Sequence, residues 1–274
     1  MRFILRNRVS FPYLSGDAFR KISDFYYKPS NDRKSNQTEI FSKAFSVFVD
    51  ANNLKEFCAR FKQVPGKKLI LVGNSDLEFH SNEILNINPD WRYLLQNSFI
   101  SDNKFIWTMP IGIENLRLAR NGLPKYLEPK LLKERNNKVM IGPFSKTHYS
   151  RLKILEAFAK VSGPWDLFDG YVPPNEYFKK SNCYKFILVP RGNGIDTHRL
   201  WETLYRGAIP ILKADEWSVS LKYLNLPILY TKNWEPSTIK NILETYEPKD
   251  FAPKDLPALW IKYWQDFIES LREI

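Results

Sequence analysis

Cysteine is scarce in this 274-residue chain, with Cys58 and Cys183 alone. Two thiols cannot build a disulfide framework or a cysteine-rich metal cluster, and they suit a reducing compartment as packing residues. Long apolar runs are also missing: no stretch approaches the ~20 consecutive apolar residues that span a bilayer. Residues 1–8 hold too short an apolar core for a secretory signal and read as a first strand with basic flanks. No internal repeat, nucleic-acid motif or G-x-G-x-x-G dinucleotide fingerprint occurs.

Hydrophobic residues at 43% and aromatics at 15% are enough for substantial cores. The length favours two domains of roughly 130 residues each. Lysine and arginine exceed aspartate and glutamate by 11, unevenly: residues 1–136 carry 22 basic and 14 acidic side chains, against 19 and 16 in residues 137–274. Such a field favours an anionic partner: a phosphorylated or acidic glycan, a lipid-phosphate carrier, or a membrane surface.

Apolar runs at 45–49, 69–72 and 105–109 suit buried strands, with a helix at 53–61 between the first two. This alternation predicts an α/β parallel sheet. Residues 27–38 are polar and aperiodic and read as a mobile loop. The apolar pattern breaks at 128–137, which divides the chain into an N-terminal domain (1–135) and a C-terminal domain (136–274). Beyond it the pattern predicts a strand at 138–141, a loop at 142–148 and a helix at 149–161. A strand at 165–168 and a helix at 174–181 follow, then, after residue 212, a strand at 227–229 and a helix at 238–244. The last predicted helix, 256–271, carries a wide aromatic stripe suited to packing between domains.

Residues 184–212 are the most informative. A buried strand (186–189) leads into a turn with Gly192 and Gly194. Asp196 or Thr197 caps a short helix, Gly207 stops it, and a second apolar run follows. Glycines allow close backbone approach, and unpaired N–H groups at a helix start favour phosphate. Arg199 and Glu202, three apart, share one helix face and suit a diphosphate and sugar hydroxyls respectively. This pattern predicts a nucleotide-sugar site.

Pro190-Arg191-Gly192, Asp196-Thr197-His198-Arg199-Leu200-Trp201-Glu202 and Gly207-Ala208-Ile209-Pro210-Ile211 together resemble the donor-site signature of exostosin-like (family 47-type) glycosyltransferases. Gly73-Asn74-Ser75-Asp76, Gln96-Asn97 and Pro110-Ile111-Gly112-Ile113-Glu114-Asn115 resemble turns in the N-terminal half of bacterial members, with Gly73 where relatives often have histidine. The resemblance implies a GT-B architecture: two Rossmann-like domains facing across a cleft, with a terminal helix crossing back onto the first. It implies a donor site of Arg191, Gly192, Asn193, Gly194, Asp196, Thr197, His198, Arg199 and Glu202. Lys146 and Arg151, also between a strand and a helix, are further phosphate contacts. Asn74, Glu114 and Asn115 fall on the acceptor side.

A transferase that inverts needs a general base, and Asp76, at a strand's carboxyl edge, is the first candidate, with His80 and Glu114 as alternatives. Asp76-Leu77-Glu78 is an imperfect D-x-D pair, so the expectation is metal-independent transfer with no cofactor. The expected partners are a nucleotide-sugar donor and a glycan or anionic acceptor, not nucleic acid. The expected placement is cytoplasmic, with peripheral membrane contact left open. Two rivals remain. Net charge +11 with 8 Trp, 14 Tyr and 19 Phe suits base stacking in a nucleic-acid-binding protein, although these aromatics fall largely at core-periodic positions. A catalytically silent glycan-binding relative would keep the fold without transfer.

Overall fold

The computed structural model describes residues 9–29, 36–80, 88, 90–100 and 103–273; the strand expected at 1–8 and residues 30–35 of the expected loop lie outside them. The chain forms a mixed α/β structure with two parallel five-stranded sheets, compatible with two Rossmann-like domains. Among the described residues no helix is long and apolar enough to cross a membrane.

The first sheet runs in sequence order: β1 (Phe25–Tyr27), β2 (Ser46–Asp50), β3 (Lys68–Gly73), β4 (Trp91–Leu95) and β5 (Ile106–Thr108). Alternate side chains along a strand point to opposite faces. Val47, Val49, Ile70, Val72 and Leu95 therefore meet helices α2 (Gln37–Lys43) and α3 (Leu54–Phe61) through Phe41, Phe57 and Phe61. Phe48, Leu69, Leu71 and Leu94 share the opposite core with α1 (Gly16–Ile22).

The second sheet has the order β10-β9-β8-β6-β7. Its strands are β6 (Asn136–Ile141), β7 (Trp165–Leu167), β8 (Tyr184–Leu188), β9 (Ile209–Lys213) and β10 (Leu229–Thr231). Helices α4 (Tyr149–Ala159) and α8 (Pro236–Thr245) cover one face through Ile154, Phe158, Ile239 and Leu243. Helices α5 (Pro174–Ser181) and α6 (His198–Tyr205) cover the other through Phe178, Leu200, Trp201 and Leu204; the short α7 (Glu216–Ser220) brings Trp217 to the same core. From β6 the chain steps outward to β7 and returns on the other side with β8. The order therefore reverses between β6 and β8, and in open α/β sheets the crevice beyond the strands' carboxyl ends at such a reversal is where ligands bind.

The last helix, α9 (Ile261–Arg272), starts later than the aromatic stripe suggests, because 3₁₀ turns at Pro253–Asp255 and Pro257–Leu259 precede it. It lies against the first half: Trp264 meets Phe19 at 5.5 Å, and Phe267 meets Trp107 at 5.5 Å. Tyr205 joins the halves by accepting from the Leu14 amide (2.9 Å) and donating to the Leu259 carbonyl. Leu14, Phe19, Leu71, Trp201, Leu204 and Trp264 thus belong to one continuous core.

Candidate functional site

The crevice is built from the loop after β6 and the turn after β8. Gly142 ends β6 at φ +82°, and a β-carbon there would lie 2.0 Å from the Phe168 carbonyl oxygen, so only glycine fits. Arg151, on the first turns of α4, donates through Nε to the Arg191 carbonyl (2.8 Å) and through Nη1 to Ser145 Oγ (2.8 Å). It is buried, and desolvation pushes its guanidinium down to about 10. Arg199 donates to the carbonyls of Gly142 (3.1 Å) and Pro143, and stacks on Phe144 and Tyr177 at 5.0 and 5.1 Å. Carbonyl oxygens satisfy these donors without cancelling their charge, so the crevice stays electropositive.

The first half supplies the opposing wall. Asp76 Oδ2 accepts from Asn193 Nδ2 at 3.2 Å, and Glu78 pairs with Arg191. A β-carbon on Gly194 would lie 2.8 Å from Asn97 Oδ1, and one on Gly192 would lie 3.2 Å from Arg151 Nη2. Both glycines therefore admit close approach by the protein's own side chains.

Asp196 neither caps α6 nor faces solvent. Its carboxylate accepts from the Ile111 amide and from Trp201 Nε1, both at 2.9 Å, and burial pushes its pKa up to about 7. The N-cap is Thr197, whose side chain makes no capping bond. His198 Nδ1 lies 2.8 Å from the Gly112 carbonyl, so Nδ1 carries a proton and donates it there. Glu202 is 5% exposed, and no hydrogen bond or ion pair with a described residue reaches its carboxylate. Burial raises its pKa; the charges of Arg206, His198 and Arg199 oppose that, and Glu114 adds to it. Glu114 of the first half is thus close enough to act on the charge of Glu202, while its own carboxylate accepts from the Asn121 amide at 2.8 Å. Arg206, fully buried, stacks on Phe178 at 4.7 Å, and its three guanidinium nitrogens have no hydrogen-bond partner among the described residues.

Other candidates lie apart. Asn74 and Asn115 bond to each other (3.0 Å) and reach Asp50 and the Asp17 amide, forming a polar ladder inside the first half. His80 is exposed and stacks on Phe99 at 5.0 Å, while Lys146 is exposed on the 142–148 loop. Among the described residues no group of three or more His, Cys, Asp or Glu is placed to hold a metal ion.

Beside the crevice lies a cavity of about 300 Å³. His148, Ser150 and Arg191 line it from the two loops, Lys213, Asp215 and Trp217 from the end of β9 onward, and Phe99 and Trp234 complete the wall. Trp217 is 2% exposed and its indole N–H has no hydrogen-bond partner among the described residues. The Ser150 amide donates to His148 Nδ1 (3.3 Å), which places the imidazole proton on Nε2; desolvation, with Arg191 and Arg151, lowers its pKa and favours the neutral ring. A larger groove of about 720 Å³ along β7 is open, and its Asp166 is already bonded to Lys138 and Tyr184. Phe99, Lys213, Asp215, Trp217 and Trp234 were not legible as site residues. Their one available signal was the apolar run ending at Leu212, since groups just past a parallel strand's carboxyl end face the ligand edge. No protein-family model matches the chain, and no curated protein matches it.

Proposed function

We propose that this chain is a GT-B-type glycosyltransferase that moves a sugar from a nucleoside diphosphate to a hydroxyl of a glycan or other acceptor, without a metal. One observation carries the reading: the order reversal of the second sheet falls between the two loops that hold Arg151, Arg191 and the carbonyl partners of Arg199. The diphosphate lies at that corner, where Arg191 and the uncancelled charge of Arg151 and Arg199 stabilise the departing nucleotide. The nucleoside enters the 300 Å³ cavity, with aromatic walls and a Trp217 N–H that no described residue accepts from. Glu202 accepts from a sugar hydroxyl. The acceptor enters from the first half, and the buried cleft keeps water from the activated sugar.

The test is a thermal-shift panel of UDP-, GDP-, TDP- and CMP-sugars with and without chelator. One nucleotide class raises the melting temperature of the wild type equally in both, and does so less in Arg199→Ala. A response that requires added metal, or none to any sugar nucleotide, contradicts the proposal.

A further inference from the structure

The positive corner already holds an anion of the protein's own. Of its three guanidiniums, Arg151 and Arg199 are bonded to carbonyl oxygens, Arg151 also to a serine hydroxyl, and among the described residues Arg191 alone is paired with a carboxylate, that of Glu78. Asn193, two residues along, is held by Asp76 from the same turn of the first half. A single acidic turn therefore crosses between the halves and caps the 191–194 turn at the crevice. A carbonyl fills a donor's valence, but only a carboxylate cancels its charge, so Glu78 takes the place an incoming anion would need.

We propose that Glu78 is a built-in counter-ion, displaced from Arg191 when a diphosphate binds, so that occupancy of the corner unlatches the acidic turn from the second half. This rests on the donor-site reading above. The pair is suited to exchange, because Arg191 and Glu78 are 28% and 25% exposed and a pair so near solvent is cheap to break. A diphosphate offers more charge and several acceptor oxygens to the same guanidinium. Once it is bound, repulsion from its phosphates drives Glu78 and Asp76 away from the turn. Uncharged ligands lack this means of opening the contact.

Calorimetric titration with UDP, GDP, inorganic pyrophosphate and uridine tests the latch. Glu78→Gln, which keeps the shape and removes the charge, binds the diphosphates of the accepted class roughly fivefold more tightly than wild type, as expected for ~1 kcal/mol of exposed ion pair. Uridine gains nothing. Arg191→Gln weakens diphosphate binding, and adding Glu78→Gln to it restores no affinity, since the coupled partner is gone. Equal or weaker diphosphate binding by Glu78→Gln, with wild-type binding intact, overturns the latch and leaves the donor site standing. Absence of diphosphate binding by every form overturns both.

Discussion

Arg151 Nε donates to the main-chain carbonyl of Arg191 at 2.8 Å, forty residues along the chain. The loop after β6 and the turn after β8 are therefore one mechanical unit, with a buried cation as its pin. The crevice depends on this pin, because the same guanidinium also holds Ser145.

Arg151→Ala leaves several acceptors without their donor and a void beside Phe144. It lowers unfolding stability by about 2–4 kcal/mol, measured by urea titration. Ligand-induced stabilisation falls further than this loss explains. Arg151→Lys recovers part of the stability but not the two-loop geometry, because an ammonium cannot reproduce the guanidinium fork.

Asp196 gives stability a pH dependence of known sign. Burial holds its folded pKa at about 7, well above the ~3.9 of an unfolded chain. Its contribution is full below the unfolded value and is lost as pH rises toward 7. Asp196→Asn still accepts from Ile111 but cannot titrate. The melting temperature of the wild type relative to this variant falls between about pH 4 and pH 7, then runs parallel above. A constant difference across that range contradicts the assignment.

Much of the fold was legible where apolar runs were long. The cores of β3, β6, β8 and β9, helices α3, α4 and α5, and the aromatic face of α9 followed from spacing alone. Three-residue β1 carries too little pattern to stand out, and α2 has only Ile40 and Phe41 as apolar residues in QTEIFSK, so it was not expected and its first two residues fell in the loop read at 27–38. Strand order was beyond reach because pairing β8 with β6 rather than β7 is a non-local choice. The corner arginines were named, but not their partners. Arg199 meets carbonyls 56 and 57 residues away, and Glu78 meets Arg191 across 113, contacts that no local spacing encodes.

Gly112 sits at φ +67°, and a β-carbon there would lie 2.2 Å from the Leu14 carbonyl oxygen. Gly112→Ala forces a backbone shift that also carries away the carbonyl holding His198. It costs about 2 kcal/mol or more in chemical unfolding. Gly194→Ala, whose nearest neighbours are side-chain atoms of Asn97 rather than backbone, costs less.

Glu202→Gln separates phosphate from sugar recognition. Affinity for the free nucleoside diphosphate stays near wild type, while affinity for its sugar ester drops about tenfold, as expected for a charged hydrogen bond of ~1.5 kcal/mol. Paired calorimetric titrations of the two ligands read the difference. Equal losses for both place Glu202 elsewhere in the site.

Amide hydrogen exchange tests the central claim most directly, with wild-type protein and the sugar nucleotide giving the largest thermal shift, in chelator. Binding slows exchange in residues 142–151 and 190–199, the two loops over the order reversal, more than in the rest of the chain. Protection confined to other segments, or none under saturating ligand, contradicts a donor site at that crevice.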